Sequence, residues 1–445
     1  MRIERLSSEE VERLGGPAGA ARQVRALVPD GASVAEEVRE IVERVRREGD
    51  AAVLDCTRRF DTAGAEPRPL LVDAQELDEA IKRLPRELIA GLQVAIANVA
   101  LVADAGVRAD AAVELPQGQR VVLREVPVGS AAVYVPGGRA PYPSTVVMGV
   151  VTARSAGVVE VAVCAPPAAD GQIDPVILGT CRLCGVERVY RMGGAQAIAA
   201  LALGTDTVAP VDVIVGPGNL YVQEAKHQLS AHVGIDGFAG PSDLLVALGA
   251  SVGEGLGEGG LQSSRELRLV ALDMLAQAEH GAGSLVAAVS PSAQLCEQLA
   301  QTLKALALER PTVGDAAFAV AHVAGARAAI AFANAFAPEH LQLVGADVET
   351  LAPMVRSAGC VFVGSDSATA FGDYVAGSNH VLPTGGAARF ASTLSPRHFR
   401  RTMSEVRIGR AAAKLAAAGA PIATAEGFDV HAESMLARVR ENQPA

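Results

Sequence analysis

The sequence predicts an α/β protein in which two units are built on mostly parallel sheets and a small helical domain follows at the C-terminus. Short segments that are apolar throughout alternate with segments of helical periodicity, which is typical of a parallel sheet covered by helices on both faces. The chain has 445 residues, and 50% of them are hydrophobic, so it is long enough to form more than one buried core.

Helices precede the first α/β unit. Val38 and Val42 lie on the apolar stripe of a helix that we predict to start at Ser33 and to end at Gly49. A second helical region is predicted between about residues 76 and 105. The segment QRVVLREVPVGSAAVYVPGG then indicates two paired strands that end in a glycine turn.

The two α/β units follow in order. In the first, we predict helices at 144–156, 174–185, 194–204 and 219–230, separated by the strands VEVAVCAP, RVYRMGG and VDVIVGPG. The pattern breaks at GFAGPSDLLVALG and at the glycine-rich residues 249–260, which indicate a flexible surface loop. In the second unit, helices are predicted at 263–280, 292–308, 326–336 and 348–357, with the strands SLVAAVS, HLQLVG and GCVFVGS. Basic and alanine-rich segments then indicate the helical tail.

Composition argues against several classes of function. The formal net charge of −11 disfavours nucleic acid as a partner and favours a soluble protein with a small-molecule ligand. The charged N-terminus is not a signal peptide and the apolar stretches are interrupted, so we expect no membrane span and a cytoplasmic location. Cys181 and Cys184 form a C-x-x-C without a second pair, which favours packing over a metal or redox site.

Two clusters contain groups that can bind a metal ion. The predicted helix ending in AQAEH puts Gln277 and His280 on one face, so an amide oxygen and an imidazole can meet a cation such as zinc. A helix-terminal histidine is also often a packed residue or a dipole partner. In FGDYVAGSNHVLPTGG, Asp373 and His380 suit either a ligand-holding loop at the carboxyl end of a strand or an Asx turn with a surface histidine.

Two further clusters can transfer protons or bind an amine. Glu339 and His340 are adjacent in FAPEHLQLVG, where a carboxylate and an imidazole can divide two proton-transfer steps or serve only a structural role. EGFDVH contains Glu426, Asp429 and His431, a mixture that is also usual on a solvated surface. The turns VPGGRAPYPS, RMGGAQAIAA and VGPGNLY lead from strands to helices, where backbone N–H groups can meet an anion.

Eight segments, taken together and in order, resemble histidinol dehydrogenase. They are VYVPGGRAPYPSTVVM, GGAQAIAALALGT, VDVIVGPGNLYVQEAK, GIDGFAGPSDLL, AQAEH, PEHLQL, GDYVAGSNHVLPTGG and EGFDVH. The resemblance implies oxidation of L-histidinol through L-histidinal to L-histidine with two NAD+ and one Zn2+ per subunit. It also implies two incomplete Rossmann-like domains. The implied division is an N-terminal arm at 1–26, a first domain at 27–130 and 242–392, a second at 131–241, and a dimerisation tail at 393–445.

The resemblance assigns roles residue by residue. The implied zinc ligands are Gln277, His280, Asp373 and His431, with His431 contributed by the other subunit of a homodimer. His340 would accept the hydroxyl proton as hydride leaves, and Glu339 would activate the water that hydrates the aldehyde. The positions that match substrate contacts are Ser242, Gln277, His280, His340, Asp373, Glu426 and His431, and those that match NAD+ contacts are Tyr134, Gln196 and Asn219. His380 would lie near the site without an assigned role.

The sequence departs from the family at two places and leaves alternatives open. Asp243 follows Ser242 where the family usually has Glu, and residues 249–260 lengthen the chain. A related zinc- and NAD-dependent dehydrogenase of another small polar alcohol is one alternative, although Glu426 and Tyr374 suit a cationic amino alcohol. A zinc hydrolase, which would need no NAD+, is a second. A silent binding protein is disfavoured, because the matched positions keep capable groups.

Overall fold

The structure is a computed structural model. It describes residues 1–28, 33–137, 140–237, 240–250, 252, 261–281, 283–313 and 315–439. The loop predicted at 249–260 therefore lies largely outside the described residues.

The described residues form the following elements. The strands are β1 (Ile3–Leu6), β2 (Ala111–Glu114), β3 (Arg120–Pro127), β4 (Ser130–Tyr134), β5 (Glu160–Ala165), β6 (Arg188–Arg191), β7 (Val213–Val215), β8 (Gly234–Ile235), β9 (Asp243–Leu248), β10 (Leu285–Ser290), β11 (Ala317–His322), β12 (His340–Val344), β13 (Cys360–Val363) and β14 (Arg400–Arg407). The helices are α1 (Ser8–Arg13), α2 (Pro17–Arg25), α3 (Ala35–Glu48), α4 (Asp50–Phe60), α5 (Ala74–Arg83), α6 (Arg86–Ala105), α7 (Pro143–Ser155), α8 (Pro175–Leu183), α9 (Gly194–Leu203), α10 (Leu220–Leu229), α11 (Leu261–Ala278), α12 (Ala293–Ala307), α13 (Ala326–Phe336), α14 (Ala346–Glu349), α15 (Thr369–Tyr374), α16 (Ala412–Ala425) and α17 (Asp429–Leu436).

Sheet A is parallel, with the strand order β1-β11-β10-β9-β12-β13 among the described residues. Its central strand β9, DLLVAL, is buried throughout, as expected for a parallel strand covered on both faces. Leu245 and Ala247 pack with α2 and α13 on one face, whereas Leu244 and Val246 pack with α11 and α12 on the other. His340, the first residue of β12, pairs with Leu244, so the amino ends of β9 and β12 lie side by side.

Sheet B is also parallel, with the order β6-β5-β4-β7-β8 in the described part of the chain. Ala131 and Val133 of β4 pack with α5, α7 and α8 on one face. Ala132 and Tyr134 pack on the opposite face with α3, α4, α9 and α10. The carboxyl ends of four strands consequently meet at one edge, where the strand-to-helix turns lie.

Sheet C and the last two helices complete the described structure. Sheet C is antiparallel in the order β14-β3-β2, with Arg400 opposite Pro127. Helices α16 and α17 pack on each other through a small apolar cluster that includes Ala420, Ala423 and Ala432. This arrangement agrees with the helical tail that the sequence predicts, although β14 precedes it.

The predicted α/β class is confirmed, and one predicted strand pairing is wrong. β3 and β4 are consecutive but do not pair, because β3 pairs with β2 and β14, whereas β4 lies between β5 and β7. Their sequences explain the separation: β4 is almost entirely buried, as in the middle of a parallel sheet, whereas β3 carries Arg120, Arg124 and Glu125 and is partly exposed.

The structure differs from the predicted grouping of the N-terminal residues. We placed residues 27–130 with the segment 242–392, but α3 and α4 pack on sheet B, and α5 and α6 pack against α8 and α7. Residues 1–26, predicted as an arm, contribute β1 to sheet A and α2 to the helices that pack on one face of this sheet.

Helix α6 is the one described helix that is long and apolar enough to cross a membrane, judged by length and composition alone. Its residues Leu92, Ala95 and Val99 pack against Val147 and Met148 of α7. A single helix of this kind is weak evidence for a membrane span.

Candidate active site

A chain of hydrogen bonds joins three of the predicted site residues at the amino ends of β9 and β12. The Gln277 Nε2 group donates to Ser242 Oγ over 2.6 Å, and Ser242 Oγ donates to Glu339 Oε2 over 2.6 Å. The backbone N–H of Asp243 donates to the same oxygen of Glu339 over 2.9 Å. Helix α11 and two strands of sheet A thus hold one buried carboxylate.

Local sequence explains why Glu339 lies here. Helix α13 ends at Phe336, its C-cap Ala337 adopts a left-handed conformation with φ 51°, and Pro338 prevents the helix from continuing. The backbone N–H of Glu339 then donates to Asp243 Oδ1 over 2.8 Å. Asp243 Oδ2 accepts from Arg25 Nη1 over 3.0 Å, so Asp243 ties Glu339 to the N-terminal helix α2.

His340 lies between two carboxylates. Its Nδ1 is 3.8 Å from Glu339 Oε2 and its Nε2 is 3.5 Å from Asp373 Oδ1. The residue is only 3% exposed, and Nδ1 is buried without a hydrogen-bond partner among the described residues. The imidazole is therefore held by packing and charge, and its Nδ1 lies buried beside the Glu339 carboxylate.

Burial and charge shift the pKa values of this pair. Burial raises the pKa of Glu339 to about 7, although the neighbouring His340 opposes the rise. Burial lowers the pKa of His340, but the carboxylates of Glu339 and Asp373 outweigh it and raise that pKa to about 9. Glu339 is thus poised to exchange a proton near neutral pH, whereas His340 favours its protonated form there and becomes a base as the pH approaches 9.

Asp373 lies near three histidines. It is at the end of the short helix α15, not in the irregular loop that we predicted, and the cluster lies at the amino ends of the sheet A strands, not the carboxyl ends. His280, His340 and His380 all lower the pKa of Asp373, against the effect of burial. His380 Nδ1 lies 2.9 Å from the Asp373 backbone oxygen, and its Nε2 lies 3.4 Å from Thr145 Oγ1 of α7.

The predicted metal ligands are only partly brought together. His280 lies beyond α11, which ends at Ala278, so our prediction that Gln277 and His280 share a helix is wrong. A turn still keeps them close, since the His280 N–H donates to the Gln277 carbonyl over 3.3 Å. Across the described residues of one chain, no group of three His, Cys, Asp or Glu side chains can hold a metal ion.

Glu426 and His431 lie away from this cluster in the single chain. Both are exposed on the tail formed by α16 and α17, and neither has a hydrogen bond or ion pair with a described residue of the cluster. The His431 ring stacks on Phe428 with 5.0 Å between the ring centroids. One chain thus supplies only part of the predicted substrate and metal site.

The three residues predicted to contact NAD+ line one cavity of about 980 Å³ at the carboxyl edge of sheet B. Tyr134 ends β4, Gln196 lies in the first turn of α9, and Asn219 caps α10 by accepting from the Val222 N–H over 3.2 Å. The Gly194 N–H donates to the Tyr134 hydroxyl over 3.1 Å, which joins two of the glycine turns.

Glycine is needed where these turns touch. Gly216 has φ 117°, and a Cβ there would lie 2.1 Å from the backbone oxygen of Tyr134. A Cβ at Gly137 or Gly193 would lie 2.2 Å or 2.5 Å from a side-chain atom of Pro166. The backbones of the turns therefore approach one another and the cavity more closely than other residues allow.

Asp61 is a cavity residue that the sequence analysis missed. It follows α4, a helix that we did not predict, and its Oδ2 is buried without a hydrogen-bond partner among the described residues. Burial raises its pKa to about 6. A sequence signal existed in DAAVLDCTRRF, whose apolar residues have helical spacing, but that segment follows Gly49 without a linker.

Two parallel sheets, a large cavity at the carboxyl edge of one and a buried carboxylate–imidazole pair at the amino edge of the other define a multidomain α/β enzyme. The family model for histidinol dehydrogenase matches residues 27–439. The chain belongs to the histidinol dehydrogenase family, whose members are oxidoreductases.

Individual relatives agree with this assignment. The chain is 40% identical over 420 residues to histidinol dehydrogenase of Gluconobacter oxydans, covering 93% of this chain and 94% of the relative. It is 38% identical over 446 residues to the enzyme of Thermobifida fusca, covering 98% of each. The crystal structure of histidinol dehydrogenase from Elizabethkingia anophelis superimposes with a TM-score of 0.89 and 29% identity, covering 98% of both chains.

Proposed function

We propose that this protein oxidises L-histidinol through L-histidinal to L-histidine with two NAD+, in a cytoplasmic homodimer that uses one zinc ion per subunit. The observation that carries the proposal is the buried Glu339–His340 pair, which is hydrogen-bonded through Ser242 to Gln277. Proton transfer at neutral pH is the task for which such a pair is suited.

The two groups take separate steps. The carboxylates of Glu339 and Asp373 raise the pKa of His340 to about 9, so His340 is mostly protonated at neutral pH. In its neutral form, after it has released its own proton to solvent, His340 accepts the proton of the substrate hydroxyl in each oxidation, and this step should become faster as the pH rises towards 9. Glu339, whose pKa of about 7 allows it to gain or lose a proton, removes a proton from the water that hydrates the aldehyde. Ser242 and the N–H of Asp243 hold the Glu339 carboxylate in place during this exchange.

One chain supplies side chains of the kinds that bind zinc, but it supplies fewer than the four ligands that a zinc ion usually takes. Gln277 Oε1 and the His280 ring have no hydrogen-bond partner among the described residues, and they supply the oxygen and nitrogen donors that zinc accepts. Gln277, His280 and Asp373 would hold the metal, with His431 of a second copy as the fourth ligand. When bound, zinc orients the hydroxyl and amine of the substrate.

The cavity at sheet B fits a dinucleotide. Its volume of about 980 Å³ is at the upper end of the range usual for ligand sites. Tyr134, Gln196 and Asn219 would contact NAD+, which supplies the hydride acceptor when bound. The unpartnered oxygen of Asp61 suits a ribose hydroxyl.

The second subunit is proposed from the exposed tail. Glu426 and His431 have no hydrogen bond or ion pair with the cluster residues in the described part of their own chain, and both are exposed, Glu426 between α16 and α17 and His431 on α17. Phe428 and Val430 are also exposed there, 53% and 73% respectively, so the tail presents apolar surface beside the two polar groups. In a dimer, Glu426 would meet the substrate ammonium at the partner's site.

Absorbance at the NADH band after addition of histidinol and NAD+ tests the proposal. We expect two NADH per histidinol, loss of activity with a chelator and recovery with zinc. A protein that binds zinc but forms no NADH would favour the hydrolase alternative, and activity that survives complete zinc removal would contradict the ligand assignment.

A further inference from the structure

A buried ion pair lies directly behind one of the cavity turns. Lys226 of α10 is 0% exposed, and its Nζ donates to Asp236 Oδ1 over 2.7 Å and to the Gly216 backbone oxygen over 2.5 Å. Asp236 Oδ2 accepts from the Gly216 N–H over 2.6 Å. The two charged side chains therefore bind both the N–H and the carbonyl of a single glycine.

That glycine sets the course of the turn. Gly216 has φ 117°, and its backbone packs against the carbonyl of Tyr134. The next three residues lead to Asn219, which lines the cavity and caps α10. Lys226 belongs to α10, and Asp236 follows β8 directly. The ion pair therefore anchors the turn both to the helix that follows it and to the neighbouring strand of sheet B.

Stability alone does not account for such a pair. Lysine is among the residues that are rarely buried, and a buried ion pair can often be replaced by apolar residues of similar volume without loss of stability. Apolar residues would, however, leave the polar groups of Gly216 without their partners. The pair is thus suited to holding a conformation.

We infer that Lys226 and Asp236 are positioning residues for the dinucleotide, because they hold the turn from Gly216 to Asn219 in the shape that receives NAD+. Neither residue lines the cavity, so they act through the turn and not by contact. This inference rests on the proposed use of NAD+.

The test measures NAD+ affinity and stability in parallel. The variants are Lys226→Met, Asp236→Asn and the double variant that combines Lys226→Met with Asp236→Leu, called the apolar pair. Calorimetry measures the NAD+ affinity of each variant, and thermal melts measure its Tm. Hydrogen bonds to charged groups contribute about 1.5–3 kcal/mol, so each variant should bind NAD+ about 10- to 100-fold more weakly. The apolar pair removes the unpaired buried charge of each single variant but still leaves the Gly216 N–H and carbonyl without partners, so it should recover only part of the lost Tm and none of the lost affinity.

Arg400→Met is the matched control. Arg400 donates to the backbone oxygens of Ala156 and Glu125, away from the cavity, so its loss should lower Tm and leave NAD+ affinity unchanged. If the apolar pair binds NAD+ as the wild type does, Lys226 and Asp236 are structural only and the inference is wrong. Wild-type protein that fails to bind NAD+ would instead overturn the proposed cofactor and the inference with it.

Discussion

Replacing Asp61 with asparagine should stabilise the ligand-free protein, although Asp61 lines the cavity proposed for NAD+. Asp61 caps the C-terminal end of α4, where the helix dipole disfavours a negative charge, and one of its oxygens is buried without a partner among the described residues. Burial raises its pKa from 3.8 to about 6. The folded protein therefore binds a proton at Asp61 more tightly than the unfolded chain does.

The sign and size of the effect follow from this shift. Between about pH 4 and pH 6 only the folded state keeps the proton, so the cost of the Asp61 charge grows with pH and is complete above pH 6. At about 1.4 kcal/mol per pKa unit the full shift corresponds to roughly 3 kcal/mol. Because the side chain is partly solvated, we expect about half of that, ~1.5 kcal/mol. With an unfolding entropy of roughly 2 cal/mol/K per residue, this corresponds to a Tm rise of about 1.5 °C for the whole chain.

Thermal melts at pH 4 and pH 8 give the Tm of Asp61→Asn minus the Tm of wild type at each pH. Groups other than Asp61 titrate alike in both proteins, so their effect cancels in this difference. Asp50→Asn, at the opposite end of α4, is the control. Burial raises the pKa of Asp50, but hydrogen bonds from Thr205 and Thr207 outweigh it and leave that pKa below its usual value. Asp50→Asn should therefore destabilise the protein above about pH 4. A Tm for Asp61→Asn that is equal to or below that of wild type at pH 8 would refute the reasoning.

Three further predictions concern the acid–base cluster and the tail. His340→Asn should lower kcat by about 10²- to 10⁴-fold while zinc per subunit, measured by metal analysis, stays unchanged; loss of the metal would contradict the assignment of His340 as a base. Ser242→Ala leaves the Gln277 Nε2 group without its partner, so the free energy of unfolding should fall by about 1–3 kcal/mol, and an unchanged Tm would show that the hydrogen-bond chain is not formed. Mixing His340→Asn and His431→Ala subunits should restore roughly a quarter of wild-type activity if His431 serves the partner's site, because each mixed dimer then has one intact site; no recovery after subunit exchange would place His431 in its own chain's site.

The sequence predicts the α/β class and most of the alternation because parallel strands buried on both faces are continuous apolar runs. Six of the described strands escaped prediction: β1, β2, β8, β9, β11 and β14. Of these, β9 and β11 belong to the middle of sheet A. Gly240 and Pro241 made the segment before β9 resemble a break, yet they precede the strand and do not interrupt it. β11 was missed although turn residues such as Pro311, Gly314 and Asp315 precede it, because its short run AFAVAH is rich in alanine, which is not a typical strand residue.

The arrangement of the candidate site could be predicted only in part. Neighbours along the chain, such as Glu339 and His340, are visible in any sequence. The hydrogen bond from Ser242 to Glu339 joins residues 97 positions apart, and the ion pair of Arg25 with Asp243 joins a terminal helix to a central strand. Such contacts depend on which strands are neighbours in the sheet, and a single sequence does not state that order.

The positions of the two sites relative to the sheets explain how one enzyme can bring a dinucleotide to a proton-transfer pair. The cavity lies at the carboxyl edge of sheet B and the Glu339–His340 pair at the amino edge of sheet A. Helix α7 links them, since it starts just after the cavity-lining residues 140–141 and its Thr145 contacts His380, which in turn contacts the Asp373 backbone. A hydride acceptor bound at the cavity and a substrate held beside Asp373 would therefore meet across the first turn of α7. In this proposed arrangement the turns of sheet B would fix the cofactor and the cluster of sheet A would fix the substrate, and neither sheet alone would contain both.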